Sequence, residues 1–353
     1  MSTIAKANKP ALTPKQVANW LLDHAMIIVI LILAIYVQTQ KPQFFGVASI
    51  VNILSLTAAR LPMALGVAGC IILAGTDLTG GRVAGLTAFV AAILLQKADA
   101  ANRFIAGGNP ANIILVLLAV MAVGACVGWV NGFVMAKFKV HPYIITLAMQ
   151  MIVYGVYLTV SNSVQVGSFD ASYTTDFVTK ALFSIQTGTR PNGTAIYTTV
   201  PVYVLMAVIV TALMWVVWNK TAFGKNMFAV GSNEEAARVS GVNVMLTIIG
   251  VFMVAGALYG YTGFIEAARL GSSTATLGLN YEADAISAAV IGGVSFVGGT
   301  GKVSGVILGV FMMQLIIAGM TFLGISGNVT YIVKGAVILF AVILDMRKYM
   351  TRK

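Results

Sequence analysis

The chain has 353 residues, of which 59% are hydrophobic and 9% charged, with a mean hydropathy of +0.91 and a formal net charge of +11. No soluble core can hide so much apolar surface, so a water-soluble globular fold is excluded and a polytopic membrane protein is expected. The basic residues stand singly, without interleaved aromatics, which argues against a nucleic-acid partner, and Cys70 and Cys126 lie in apolar runs as small hydrophobes, not as a disulfide or metal framework.

Residues 1–16 are polar, with Lys6, Lys9 and Lys15, and lead to an apolar run over 21–37. A signal peptide is the rival reading, but no small-residue cleavage site follows, so the run is taken as a retained first span behind an N-terminal segment, 1–20. Residues 61–74 form an apolar run of 14, shorter than the roughly 20 that a perpendicular span needs. The break Gly75-Thr76-Asp77-Leu78-Thr79-Gly80-Gly81-Arg82 follows, then a second run over 83–96. The pair recurs as 283–296, the break Gly298-Gly299-Thr300-Gly301-Lys302, and 303–323. Glycine-interrupted pairs at corresponding places in two halves point to a transport path, although two separate glycine-rich helix contacts would read the same way.

Further spans are expected at 112–136, 142–160, 200–218, 246–267 and 329–344. The fold class is therefore all-α, one transmembrane domain over 1–353, with about ten helices if the short runs cross and six if each pair is re-entrant. Either count leaves the other loops on the same sides. With the N-terminus inside, the inner side collects Lys6, Lys9, Lys15, Arg82, Lys137, Lys139, Lys220, Lys225, Arg238, Lys302, Arg347, Lys348, Arg352 and Lys353, which is 14 of the 22 Lys and Arg. Both termini are then cytoplasmic, and the loop 161–199 lies outside, as a docking surface or a solvated loop.

Residues 219–244 are a polar island between two long apolar runs, holding Lys220, Lys225, Glu234, Glu235 and Arg238. A short surface helix fits its middle: Ser232 or Asn233 as cap, Glu234 and Glu235 in the first turn where the dipole favours anions, Arg238 after them, and Gly241 at the end. Ala236 and Ala237 keep one side low. Such a helix suits a cleft in a partner, and an ordinary connecting loop would also carry a helical turn.

Several residues invite chemistry. Asp77 and Arg82 flank the first break, where Asp77 reads as a path residue or as a cap of the next helix. Glu282 and Asp284 flank the start of the second pair and read as an ion-pair or helix-capping set, with Arg269 as a candidate partner. Lys334 falls about 8 Å into the last apolar run and must snorkel or find a partner, snorkelling being the favoured reading. Asn109-Pro110-Ala111 matches an aquaporin tripeptide, but occurs once and is explained by Asn as cap and Pro at the first helical position. Gly324-Ile325-Ser326-Gly327 matches a rhomboid-type protease pattern, yet both histidines, His24 and His141, precede the serine. Gly301-Lys302 lacks the following Ser or Thr of a phosphate loop, so no ATP site is expected in this chain.

Ala229, Gly231, Asn233, Ala236, Ala237 and Gly241, spaced A-x-G-x-N-x-x-A-A-x-x-x-G, resemble the cytoplasmic coupling loop of the sugar permeases of bacterial ABC importers, the group of galactose/methyl-galactoside and ribose permeases. Gly75-Thr76-Asp77-Leu78 and Gly292-Gly293-Val294-Ser295-Phe296-Val297-Gly298-Gly299 look like that family too, with Thr79 where such permeases usually carry Ser. The resemblance covers nearly the whole chain. It implies a non-enzymatic subunit of the bacterial inner membrane, without a cofactor, whose ATP is bound by a partner. Two copies would line a central path through the lipid, with a periplasmic sugar-binding protein outside and ATP-binding subunits on the coupling loop, 219–245. The coupling residues are then Asn233, Glu234, Glu235, Ala236, Ala237, Arg238 and Gly241. The path residues are Thr76, Asp77, Thr79, Ser295 and Ser304. The rival from another class is an ion-coupled sugar transporter or facilitator acting alone, which calls for carboxylates near mid-membrane, whereas 112–136 and 200–218 carry none.

Overall fold

In the computed structural model, which describes residues 25–105 and 109–350, the apolar runs become helices. In chain order these are α1 (Ala25–Gln40), α2 (Val47–Ile72), α3 (Gly80–Leu94), α4 (Ile113–Phe138) and α5 (Pro142–Ser161). A hairpin of β1 (Ala181–Thr189) and β2 (Ala195–Pro201) precedes α6 (Val202–Lys220), α7 (Ala222–Ser232), α8 (Glu234–Val239) and α9 (Val244–Leu270). The chain closes with α10 (Tyr281–Ile291), α11 (Val303–Phe322) and α12 (Gly327–Met350). The expected first span starts among residues 1–24, outside the described residues.

Seven of these helices are long and apolar enough to cross a membrane: α2, α4, α5, α6, α9, α11 and residues Gly327–Leu344 of α12. The expectation of about ten crossings is thus met for seven, and α1 and α3 are shorter apolar helices. The run 61–74 is not a short helix. It is the second half of α2, a continuous helix of 26 residues whose first half carries the buried Ser49, Ser55 and Thr57. Those hydroxyls hide the span from a hydropathy reading because they face protein, as Thr57 Oγ1 does by donating to the Ile53 carbonyl at 2.8 Å. Each glycine-interrupted pair therefore joins one long helix to one short one: α2 of 26 residues to α3 of 15, and α10 of 11 to α11 of 20.

Helix α9 is the centre of the packing. On α4 a stripe at every fourth residue is buried, Val116, Val120, Gly124, Gly128 and Gly132, with Asn131 beside it, and the glycines of this stripe meet α9. Carbonyl oxygens of Gly256 and Phe252 lie where a Cβ on Gly124 and Gly128 would be, and the Gly124 carbonyl does the same to Gly256. In lipid, where apolar side chains gain little by leaving their surroundings, such backbone contact is a main source of helix association.

Charge is buried beside this seam. Glu266 of α9, wholly buried, is 3.0 Å from Arg60 Nε of α2 and 2.7 Å from an Arg269 guanidinium nitrogen one turn on. The Arg60 guanidinium also lies 3.2 Å from the Tyr281 ring centroid, tying α10 to the pair. Arg269 is therefore not the partner of Glu282 or Asp284, because three residues along a helix set it over Glu266. Nor does Lys334 snorkel: its Nζ is 2.8 Å from Asp284 Oδ2, linking α12 to α10. The cap of α4 is Asn112, whose side chain accepts from Ile114 N and Leu115 N, and not Asn109.

The hairpin departs from an all-α fold. Alternating Thr and apolar residues on either side of Arg190-Pro191-Asn192-Gly193 favour paired strands, with Gly193 at φ +81° in the turn. Just before it, Asp170 accepts hydrogen bonds from the Ser172 hydroxyl at 2.6 Å and amide at 2.9 Å, which hold its carboxyl below the usual range. Val166 pairs with Ser273 just past the end of α9, so the hairpin side and the polar island lie at opposite ends of that helix, about 40 Å apart for its 27 residues.

Replacing Glu266 with Leu leaves two guanidinium groups without their anion. Unfolding of the purified protein in detergent should show a loss of roughly 3–5 kcal/mol, as for other broken buried pairs. Gly335→Ala, with nothing within 4 Å of the added carbon, should stay within about 0.5 kcal/mol.

Candidate coupling and translocation site

The polar island folds as two short helices. Thr221 caps α7 by accepting from Gly224 N at 3.1 Å, and Asn233 caps α8 by accepting from Ala236 N at 2.9 Å, so of the two expected caps it is Asn233 that serves. Gly241 ends the turn at φ +84°, its amide donating to the Arg238 carbonyl at 3.0 Å. Arg238 pairs with Glu234 at 2.6 Å and with Glu235 at 3.3 Å, all three being exposed. Such pairs add little stability, so their charges remain available to another surface. Ala236 faces out while Ala237 is buried, so the low side of α8 is presented by Ala236 alone. Beside α8 opens a groove of about 570 Å³, whose walls include Lys139, His141, Glu234, Glu235 and Arg238.

Both breaks reach this segment. The Ile72 carbonyl at the end of α2 occupies the place of a Cβ on Gly231 in α7, and it also accepts from Gly299 N at 2.8 Å. Gly298, at φ +92°, packs against the Gly231 carbonyl and Ala74. The end of α2, the second glycine loop and the coupling segment thus meet at backbone and at the small side chains of Ala74 and Ser232.

At the first break the polar side chains satisfy one another. Asp77 Oδ1 accepts from Thr79 N at 2.9 Å and Thr79 Oγ1 at 2.5 Å, and Oδ2 accepts from the Tyr259 hydroxyl at 3.2 Å. Asn131 Nδ2 donates to Thr79 Oγ1 at 3.3 Å, and Thr146 Oγ1 donates to the Thr76 carbonyl at 3.2 Å. Asp77 thus closes the turn ahead of α3 and is not the helix's own cap, which is Thr79 without a side-chain cap bond, and three further helices, α4, α5 and α9, hold that turn.

The remaining path residues lie apart from this cluster. Ser295 is buried in the second loop, where its hydroxyl accepts from Val297 N at 3.2 Å. Ser304 is exposed and lines an open groove of about 720 Å³ with Gly292, Gly293, Thr300, Lys302 and Leu308. Thr76, Asp77 and Thr79 come together, and Ser295 and Ser304 do not join them in one cavity. Ser326 follows Gly324, at φ +71°, in the connection from α11 to α12, and its carbonyl accepts from Thr330 N. Sequence reading missed Asn131, Tyr259, Arg60 and Glu266. The last two, charges inside otherwise apolar stretches, carried the signal that would have found them.

The family model for "Branched-chain amino acid transport system / permease component" matches residues 49–342. The galactose/methyl galactoside import permease protein MglC of Salmonella typhimurium is 42% identical over 349 residues, 97% of this chain and 99% of that one. MglC of Haemophilus influenzae is 41% identical over 97% of this chain and 99% of its own length. The ribose import permease protein RbsC of Escherichia coli is 34% identical over 93% of this chain and 95% of its own. No solved structure matches the chain significantly. With residues 49–342 matched and seven helices long and apolar enough to cross a membrane among the described residues, the chain belongs to the family of branched-chain amino acid transport system permease components, as a multi-pass membrane protein.

Proposed function

We propose that the chain is the permease subunit of an ATP-driven ABC importer that carries a monosaccharide, galactose, methyl galactoside or a similar sugar, across the bacterial inner membrane. A sugar is favoured over a branched-chain amino acid because relatives matched over nearly their full length are named for galactose, methyl galactoside and ribose. The observation that carries the coupling mechanism is the backbone junction of Gly231, Ile72 and Gly299. An ATP-binding subunit seated on α8 moves α7 with it. Because α7 meets the end of α2 at bare backbone and the second glycine loop at backbone and the short Ser232 side chain, the motion passes to both breaks together and switches which side of the path is open. A periplasmic sugar-binding protein docks at the hairpin end, a second copy completes the path, and both termini lie in the cytoplasm. Asn233, Glu234, Glu235, Arg238 and outward-facing Ala236 form the docking knob, with Ala237 and Gly241 holding its shape.

The ATPase subunit should copurify with wild type and be released by Glu234→Arg or Ala236→Trp, with the permease unchanged in size-exclusion profile. Persistent copurification of both variants would move the docking surface elsewhere. Gly231→Ala should retain the ATPase subunit but cut sugar uptake at least tenfold in proteoliposomes, since the new methyl drives α7 from Ile72. Accumulation of galactose against a gradient by the permease alone, with no ATPase present, would overturn the importer reading.

A further inference from the structure

The groove beside α8 is lined from two elements, and the second of them leads to the first break. That element is the turn from α4 to α5, which sets Lys139 and His141 in the same groove as Glu234, Glu235 and Arg238. The turn is stiff. Lys139 closes α4 in the left-handed conformation at φ +54°, its amide donating to the Met135 carbonyl at 2.9 Å. His141 then caps α5 by accepting through Nδ1 from Tyr143 N at 3.3 Å, and Pro142 occupies the first helical position. Both helices that the turn joins are fastened to the break ahead of α3. The buried Pro142 ring lies 3.4 Å from where a Cβ on Gly75 would be, and Thr146, one turn further along α5, donates to the Thr76 carbonyl at 3.2 Å. On α4, about two turns before Lys139, Asn131 donates to Thr79. This route reaches the first break without passing through Gly231.

We propose that this groove is a second seat for the ATP-binding subunit, which inserts a large apolar side chain flanked by a carboxylate and so grips the turn from α4 to α5 as well as α8. The proposal rests on the importer reading. Apolar lining from Val140, Met245 and Ile248 suits the inserted side chain, and Met245 is 39% exposed, a bare apolar surface beside an ionic helix. The charges select what flanks it. Glu234 and Glu235 share Arg238, whereas Lys139 has no ion pair and His141 keeps its second ring nitrogen without a hydrogen bond among the described residues. The unanswered charge is therefore positive, and it calls for an anion. Charges of both signs in the lining exclude a lipid tail as occupant. The groove is continuous with the exposed face of α8 through Glu234, Glu235 and Arg238, so one partner covers both. Movement of that partner then shifts α7 through α8, and α5 through its stiff turn. The first break is pulled from two directions and the second glycine loop from one.

The test uses the complete importer in proteoliposomes, with its ATP-binding subunit and binding protein. A benzophenone amino acid is placed singly at Val140 or Met245 in the groove, at Val239 of α8, which is 88% exposed, and at Ile209, an exposed apolar residue of α6, as the control. On irradiation the first three positions should link to the ATP-binding subunit and Ile209 should not. Links from Val239 alone, or links from the groove to the permease's own chain, overturn the second seat and leave the knob on α8 standing. Silence at all three removes the docking side of the importer reading as well. Lys139→Glu should lower the share of ATP-binding subunit that copurifies and Lys139→Arg should not; equal retention overturns the carboxylate. The route through α5 is read separately, as radiolabelled galactose moved per ATP hydrolysed. Thr146→Val should keep the crosslinks and move at least about fivefold less sugar per ATP, the factor for one lost neutral hydrogen bond, with Thr146→Ser restoring it. Where Thr146→Val does not assemble, Pro142→Ala, which removes the ring beside Gly75, carries the same reading. Unchanged sugar per ATP in these variants overturns the route.

Discussion

Hydrocarbon offers no hydrogen bonds, so a helix that stops inside a membrane must find partners for its loose backbone groups within the protein. Both interruptions here meet that demand, and the way they meet it orders the rest of the molecule. The turn before α3 is held by Asp77, Thr146 and Asn131 from its own strand of chain and two neighbouring helices, with Tyr259 on α9 fixing Asp77. The loop before α11 is closed by its own amides and by the Ile72 carbonyl. Satisfying one break thereby ties it to the other, and both to the coupling segment.

Buried charge follows the same economy of position. Glu266 is flanked by two arginines and Asp284 by Lys334, so these carboxylates are committed to joining α2, α9, α10 and α12. A carrier driven by an ion gradient needs carboxylates free to take up and release the driving cation. Glu266, lodged inside a long span, has the location for that task but has its charge already answered. Glu266, Asp284 and their cations brace the helices, and the exposed charges of α8 stand ready for another protein.

Local features were readable from sequence and distant partnerships were not. The caps and glycine stop of α8 depend on residues within a few positions, so Asn233, Glu234 and Gly241 could be assigned directly. The glycine-rich interruptions were visible because apolar runs frame them. Lys334 was misjudged because its partner Asp284 lies fifty residues earlier, and charge pairing at that range leaves no periodic trace. The first half of α2 was hidden for a related reason: Ser49, Ser55 and Thr57 lower its hydropathy, yet they face protein and not lipid. The hairpin was missed inside a loop read only as a docking surface or a solvated connection. Among the site residues, the cluster at Thr76, Asp77 and Thr79 was legible as a motif, while its supports Asn131 and Tyr259 sit on helices whose sequence is otherwise ordinary.

The contact at Gly231 has a mechanical consequence. Side chains normally act as cushions between helices, changing rotamer to absorb a fraction of an ångström before any backbone shifts. Where the Ile72 carbonyl stands in place of a Cβ, no cushion exists, and Gly299 is hydrogen-bonded to the same oxygen. The joint has no play, like a bearing machined to zero clearance. Even a sub-ångström displacement of α7 must be handed on whole.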